Sequence, residues 1–228
     1  MAADPGTRIR VDMHLHTRRS FDCLNDPDAL LAAADTRGIA VLCITDHNEI
    51  AAALHMKQRF PERIIVGEEV KTAEGVDVIG LFIHTHIAQG TPARVTCDLI
   101  HEQGGLVYVP HPFARGKGGG GRILDVIADQ VDAVEGFNAR LHDQQLNERA
   151  VAWAQARGLL LGAGSDAHTL AEVGRAYVEL PRFGDDPRSF RQALGAATIH
   201  GQESPRTVHL ASTYAKVHKM IFSQAADR

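Results

Sequence analysis

The chain is poor in cysteine, with three among its 228 residues. Cys23, Cys43 and Cys97 are widely spaced and odd in number, which argues against a framework of disulfide bonds. The same scarcity argues against a structural zinc site built from thiolates. The cysteine content is therefore consistent with a reducing compartment.

Long apolar runs are also missing. No apolar stretch approaches the roughly 20 residues that a membrane-spanning helix needs, so we expect no membrane segment. The start of the chain, Met1–Arg10, is short and polar and does not resemble a signal peptide, so we expect a cytoplasmic protein. The formal net charge of −4 gives no extended basic surface for long nucleic acid, although it is compatible with a nucleotide substrate.

Histidine, in contrast, is abundant and ordered along the chain. Five of the thirteen histidines lie in or beside short motifs that also supply carboxylates. Neutral imidazole and ionised carboxylate together suit zinc, manganese or iron, and several such motifs at strand ends can converge on more than one ion. The series predicts a multinuclear metal hydrolase. The motifs are Asp12–His16, Thr45–His47, Gly67–Glu69, His111–Phe113 and Gly164–His168.

Apolar runs rich in β-branched residues alternate with helical patterns, as in βαβ units of a parallel sheet. About seven such units favour a barrel over an open sheet, with the metal site at the C-terminal ends of the strands. We expect one domain over residues 1–228, with a core of about 8–180 and an extension of 181–228. The expected strands are Arg8–His14, Ile39–Thr45, Arg63–Val66, Val76–Ile83, Leu106–Pro110, Val131–Glu135 and Leu159–Ala163; the expected helices include Asp28–Arg37, Thr91–Gln103, Asp143–Arg157 and Pro187–Ala197.

Some boundaries and termini have their own signals. Asp26 is the expected N-cap of the first helix, Pro27 its first residue and Gly38 its C-terminal cap. The glycine-rich segment Gly116–Gly121 is a candidate lid. After the helix that starts at Pro187, we expect a polar tail whose last dozen or so residues are disordered or pack on a partner.

Side chains two residues apart in a strand share a face, so Asp12, His14 and His16 point the same way. Two histidines at this spacing can chelate one ion; the alternative is a polar strand face with hydrogen-bonded histidines. Asp22 lies in a turn placed to fold back over the strand end. At the end of the second strand either Asp46 or His47 could be a ligand, and His47 is preferred.

The remaining motifs complete the candidate ligand set. Of the adjacent Glu68 and Glu69, only one can face the site, and periodicity does not decide which. His111 precedes a proline that restricts its backbone. Asp166 and His168 repeat the two-residue spacing, and either could handle protons in catalysis.

Polar groups near these motifs are candidate substrate clamps. Arg115 and Lys117 follow His111, and Asn138 and Arg140 follow the strand Val131–Glu135. Arginine suits phosphate oxygens, although surface arginines are an equally good interpretation for each. His84 and His86 run into a loop away from the pattern. Surface or packing roles are expected for His55, His101, His142, His200, His209 and His218.

These motifs together resemble the PHP (polymerase and histidinol phosphatase) superfamily over nearly all of Arg8–Leu180. The resemblance implies a distorted (β/α)7 barrel that holds two or three divalent ions, either manganese, zinc or iron, with magnesium as a further candidate. It assigns His14, His16, Glu69 and Asp166 to a first metal and Asp22, His47 and His168 to a second. A third site would use Glu69 and His111, with Asp77 where the family often has histidine.

The resemblance also implies hydrolysis of phosphoesters by metal-activated water. The expected substrate is a small phosphorylated metabolite, a nucleotide or a short oligonucleotide, held by Arg115, Asn138 and Arg140. Two alternatives stay open: hydrolysis of a non-phosphate substrate such as an amide, and a noncatalytic metal-binding regulatory module. Oligomeric state has no signal in the sequence.

Overall fold

A computed structural model describes residues 7–114 and 121–226. The described part of the chain forms nine strands and seven α-helices, with a short 3-10 helix at Ala128–Gln130. The strands are β1 Arg8–Leu15, β2 Val41–Ile44, β3 Ile64–Lys71, β4 Asp77–Leu81, β5 Leu106–Val109, β6 Ala133–Asn138, β7 Leu160–Gly164, β8 Ala176–Pro181 and β9 Thr198–Gly201. The helices are α1 Pro27–Thr36, α2 Ala51–Arg59, α3 Ala93–Glu102, α4 Gly121–Ile127, α5 Gln144–Gln155, α6 Pro187–Leu194 and α7 Val208–Ala226.

The strands form one sheet in the order β7-β6-β5-β4-β3-β2-β1-β8-β9. The expectation of a parallel sheet holds for β1 to β3 and for β5 to β7 but is wrong for β4, which is antiparallel to both neighbours. A turn closed by the hydrogen bond from Thr72 N to Val76 O links β3 to β4. Such a turn is too short for the crossover that parallel strands require.

The sheet curls into a nearly closed barrel, as expected. Where β1 ends, Asp166 N donates to His14 O at 2.8 Å and His16 N donates to Ala167 O at 3.1 Å. Ser165 N also donates to Asp12 Oδ1 at 2.9 Å, so a buried carboxylate joins β1 to the segment that follows β7. At the other end of β1, residues 8–11 pair with the antiparallel β8. The closure brings the motifs at the start and end of the barrel sequence together.

Two groups of buried apolar side chains support the barrel. One packs α1 to α5 against the strands, and Leu30, Met56 and Ile100 belong to it. The other gathers strand side chains such as Met13 and Tyr108 with Phe190 of α6. The helices thus cover the sheet and leave the C-terminal strand ends free for polar groups.

Local signals place the first helix as expected. The Asp26 side chain accepts from Asp28 N at 3.0 Å and from Ala29 N at 3.3 Å, and Pro27 is the first helical residue. Gly38 has a φ of 67°, the left-handed conformation that glycine adopts at helix ends. The capping residues therefore fix where α1 begins and ends between β1 and β2.

The C-terminal segment differs from the expected polar tail, because Val208–Ala226 forms α7, a helix of 19 residues. Arg140 Nη2 donates to Ser212 Oγ at 2.8 Å, and Lys219 Nζ donates to Arg18 O at 2.6 Å. These bonds hold α7 against the barrel. In the described part of the chain, no helix combines the length and apolar character needed to cross a bilayer. Arg115, Lys117 and residues 116–120 of the expected lid lie outside the described residues.

The barrel closure leaves no room for a side chain at Gly164. A Cβ atom there would overlap His14 Cβ and lie 2.7 Å from Glu135 Oε1. We expect Gly164→Ala to lower the free energy of unfolding by about 1–3 kcal/mol, because the overlap forces β1 and β7 apart. Urea denaturation of the metal-free protein measures the change.

Gly195→Ala is the matched control for this measurement. Gly195 has a φ of −62° at the end of α6, and the nearest atom to an added Cβ is 3.3 Å away. We expect this variant to be as stable as the parent or slightly more stable. Equal stability of the Gly164→Ala variant would contradict the close approach of β1 and β7.

Candidate metal centre

The candidate ligands converge at the C-terminal ends of the barrel strands. His14 and Glu69 lie on β1 and β3, and the other side chains lie in the segments that follow β1, β2, β5 and β7. Their side chains are almost inaccessible to solvent, apart from His47, whose side chain is 16% exposed. The complete set is His14, His16, Asp22, His47, Glu69, His111, Asp166 and His168.

One group of donors surrounds the Nε2 atoms of His14 and His16, which lie 3.1 Å apart. Asp166 Oδ1 is 3.7 Å from His14 Nε2 and 3.3 Å from His16 Nε2. Glu69 Oε2 is 3.3 Å from His14 Nε2 and 3.4 Å from His16 Nε2. Two imidazoles and two carboxylates thus face one small volume, the arrangement expected of the first metal site.

A second group lies on the solvent side of the first. His16, His47 and His168 offer nitrogen atoms close enough to share an ion. Asp22 Oδ1 is 3.2 Å from His168 Nε2 and 3.6 Å from His47 Nε2. The turn after β1 therefore does fold Asp22 back over the strand end.

Glu69 connects the groups. Its Oε2 atom also lies 2.9 Å from His47 Nδ1, and its Oε1 atom lies 3.1 Å from His111 Nε2. Glu68 faces elsewhere: its Oε1 pairs with His86 Nδ1 at 2.7 Å and its Oε2 accepts from Ile87 N at 3.0 Å. Periodicity left this choice open, and the structure places Glu69 in the cluster.

The hydrogen bonds of the imidazoles fix which nitrogen carries the proton. His14 Nδ1 lies 3.1 Å from Glu135 Oε1, and His168 Nδ1 lies 2.7 Å from Asp166 O; both oxygens are acceptors, so both nitrogens donate. His16 Nδ1 lies 2.9 Å from Ser20 Oγ, whose own proton goes to Asp46 Oδ1. In neutral rings all three Nε2 atoms are therefore bare acceptors.

Bare acceptors that face one another require a cation. The lone pairs of His14 Nε2 and His16 Nε2 oppose each other at 3.1 Å, with carboxylate oxygens beside them. Without a metal, the cluster would have to take up protons. Burial alone lowers the pKa of His14, but Asp166, Glu135 and Glu69 outweigh burial and hold that pKa well above its usual value.

The pKa of the neighbouring His16 imidazole shifts in the opposite direction. Burial, together with the nearby His168 and His47, holds the pKa of His16 well below its usual value. The pKa of Glu69 is well below its usual value despite burial, because His47 and His14 stabilise its charge. A carboxylate kept ionised beside a neutral imidazole is a suitable ligand pair for a divalent ion.

A supporting set of buried residues orients the ligands, and most of these residues are not predicted from the sequence. Glu135 Oε2 accepts from His111 N at 2.7 Å, in addition to the bond of Oε1 with His14. Asp46 accepts from Thr17 N, Thr17 Oγ1 and Ser20 Oγ, so its carboxylate is used in holding the loop after β1. Glu135 had one available signal, an acidic residue within a buried strand.

Several candidates have other partners. Asp77 pairs with Lys71 at 3.0 Å and lies outside the donor groups found among the described residues. Asn138 Nδ2 donates to Glu135 Oε2 at 2.8 Å and to Asp166 Oδ2 at 3.3 Å, so it positions a carboxylate. His84, an exposed residue, bonds to Thr85.

Arg140 is placed differently from the expected substrate clamp. Its Nε atom lies 3.1 Å from Glu172 Oε1 and its Nη2 atom donates to Ser212, with the side chain 5% exposed. These contacts give the guanidinium a role in docking α7. The structure also joins two histidines that the sequence did not connect, since His142 Nε2 and His209 Nε2 lie 3.1 Å apart.

The match to known families decides the assignment. Residues 12–162 match the PHP domain family, and residues 144–199 match a family described as PHP-associated. The chain belongs to the PHP family. This match confirms the expected family, the expected barrel fold and the expected class of metal-dependent hydrolases.

Two similar sequences are uncharacterized proteins of Methanocaldococcus jannaschii. One is 35% identical over 157 residues, which cover 63% of this chain and 90% of the relative. The other is 32% identical over 201 residues, which cover 83% of this chain and 81% of the relative. The PHP chain described here thus aligns with most of the length of both relatives.

Solved structures share the fold at low sequence identity. A two-domain protein from Bacteroides vulgatus with a predicted PHP-like metal-dependent phosphoesterase has a TM-score of 0.66, at 14% identity over 89% of this chain and 68% of that one. The lesion-specific endonuclease EndoQ from Pyrococcus furiosus has a TM-score of 0.63, at 14% identity over 85% and 57%. An amidohydrolase from Chromobacterium violaceum has a TM-score of 0.59, at 16% identity over 82% and 97%.

The supporting role of Glu135 can be measured through metal affinity. We expect Glu135→Gln to weaken metal binding about 10-fold to 100-fold, because the amide no longer stabilises the His14 proton as a carboxylate does. Competition with a chromogenic chelator measures the affinity. Glu68→Gln changes a carboxylate that is as buried as Glu135 but faces His86, and we expect no change in metal affinity. Equal affinities for both variants would contradict this role of Glu135.

Proposed function

We propose that this PHP protein is a metal-dependent phosphoesterase with two or three divalent ions. The supporting observation is the pair of bare Nε2 atoms of His14 and His16, 3.1 Å apart and flanked by Glu69 and Asp166. The first ion would be held by His14, His16, Glu69 and Asp166, and the second by Asp22, His47 and His168. Glu69 and His111 would contribute to a third.

The donor set fits such ions. All donors are imidazole nitrogen or carboxylate oxygen, and they lie in three overlapping groups. This chemistry suits manganese, zinc or iron, and magnesium is a weaker candidate because it prefers oxygen ligands. When bound, the ions supply Lewis acidity and lower the pKa of water.

Other residues of the chain hold and orient the proposed metal ligands. Glu135 and Ser20 fix the rings of His14 and His16, and Asn138 holds Asp166. Asp166 and His168 remain the proposed proton-handling residues, although their positions inside the cluster favour ligand roles first. Barrel strands surround this centre on most sides, so substrate would enter past His47, the most exposed ligand.

The proposed substrate is a small phosphorylated metabolite, a nucleotide or a short oligonucleotide. The similarity to EndoQ, whose solved complex contains duplex DNA with an abasic lesion, supports a nucleic-acid substrate as one of these options. Of the expected clamps, Arg115 and Lys117 remain proposals, since Asn138 holds Asp166 and Arg140 is bound to Glu172 and Ser212.

Amide hydrolysis is the second candidate. The structural similarity to the Chromobacterium violaceum amidohydrolase supports it, because the same barrel serves that protein. A noncatalytic regulatory role is the third, and the donor groups by themselves are compatible with it. Turnover distinguishes the three candidates.

Phosphate release tests the proposal. We expect the manganese-supplied protein to release phosphate from sugar phosphates or nucleoside monophosphates, or to cleave short oligonucleotides into shorter products seen by chromatography, and EDTA treatment to abolish the reaction. If the protein hydrolyses none of these substrates while elemental analysis verifies bound metal, the result would contradict the phosphoesterase proposal. It would favour the amide or regulatory alternatives.

Variants of single ligands test the site within the same assay. We expect Asp166→Asn and His16→Gln to reduce turnover by at least about 100-fold, because each removes a donor from the first site. His55→Gln changes an exposed histidine of α2 and should retain full activity. Activity that survives both ligand substitutions would contradict the assignment of the first site.

A further inference from the structure

Helix α7 reaches the mouth of the metal centre. Lys219 Nζ donates to the carbonyl oxygens of Arg18 and Ser20, in the loop that follows β1. The same loop carries Asp22, whose Oδ1 atom faces His168 and His47. The helix is therefore fixed next to the second group of donors.

Lys216 projects from α7 toward this group. Its Nζ atom lies 3.8 Å from Asp22 Oδ2 and 5.0 Å from the centre of the Phe21 ring. The Phe21 ring is itself 5.1 Å from the His47 ring. Since the Lys216 side chain is 51% exposed and Phe21 is 54% exposed, the ammonium group lies between the cluster and solvent.

The side of the cluster at Phe21 is open. A groove of about 480 Å³ runs between the loop after β1 and the last turns of α7. Its lining includes Phe21, Leu24 and Phe222, the cations Arg18, Arg19 and Lys219, and the anion Glu49. Phe21 lines this groove and also lies against His47, so the groove would hold the organic part of a substrate whose phosphoryl group lies at the metal centre.

Lys216 adds a positive charge at the mouth of the centre, 3.8 Å from Asp22 Oδ2. Two divalent ions would bring four positive charges, and the nearby carboxylates of Asp22, Glu69, Asp166 and Glu135 would offset them. The charge of Lys216 then attracts a phosphomonoester, which is mostly dianionic above about pH 6, more strongly than a phosphodiester, which carries a single charge.

We propose that Lys216 binds the phosphoryl oxygens of the substrate and gives the centre a preference for phosphomonoesters. This inference rests on the proposed function. Lys216 lies beyond residues 12–162 and 144–199, the ranges that match the PHP families, so the preference is a property of this chain's α7. A lysine ammonium suits this role, because it offers three donors on a flexible stem.

Binding of inorganic phosphate tests the inference without turnover. Isothermal titration calorimetry on the manganese-loaded protein at pH 7.5 is expected to show phosphate binding that weakens about 10-fold in Lys216→Met, the effect of losing one charge-assisted contact. Lys216→Arg should restore most of the affinity. Lys57→Met removes a lysine that pairs with Asp185, and it should match the parent. Elemental analysis should show equal metal content in all four proteins.

Kinetics provide a second readout. With p-nitrophenyl phosphate we expect Lys216→Met to raise KM about 10-fold and change kcat little, and with bis(p-nitrophenyl) phosphate we expect little change in KM. Phosphate binding that is unaffected by Lys216→Met in fully loaded protein would overturn the inference, and so would equal losses with monoester and diester.

The two proposals fail in different ways. Phosphate binding that depends on Lys216, in a protein that hydrolyses neither ester, would support the anion site and overturn the phosphoesterase proposal. Turnover of both esters with phosphate affinity independent of Lys216 would overturn the role of Lys216 alone.

Discussion

The carboxylate of Glu135 holds the centre together. One oxygen receives the His14 ring, and the other receives the His111 backbone and the Asn138 amide, so β1, β5 and β6 meet at one side chain. Through Asn138 the same carboxylate also reaches Asp166 after β7. A buried charge is tolerated only when it is well hydrogen-bonded. The barrel supplies these hydrogen bonds to Glu135 from His14, His111 and Asn138, the residues that Glu135 in turn positions.

Much of this organisation could be predicted from residue order. Capping signals at Asp26 and Pro27 set α1, and histidines after apolar strands marked the strand ends, because both signals are local. The direction of β4 and the choice between Glu68 and Glu69 depend on pairing across the sheet, which one strand's pattern does not encode. Arg140 looked like a clamp because its partners Glu172 and Ser212 are distant in sequence.

Four described residues other than glycine have a positive φ, and two of them, His111 and Asp166, are proposed ligands. His111 has a φ of 28° and Asp166 a φ of 52°, in a region that residues with side chains rarely adopt. Such conformations persist when surrounding bonds determine them, here the bonds of His111 N to Glu135 and of Asp166 N to His14 O. These conformations direct the His111 and Asp166 side chains toward the cluster. The hydrogen bonds that close the barrel offset the conformational energy that they cost.

Helix α7 joins the barrel through a few side chains and lies outside the ranges matched by the PHP families. A segment attached in this way can change its residues while the strand-end ligands stay fixed. Substitutions in α7 could then alter the substrate preference of related proteins while their metal ligands stay unchanged. The fold thus combines a buried centre, whose side chains are fixed by many hydrogen bonds, with an exposed helix that few bonds attach.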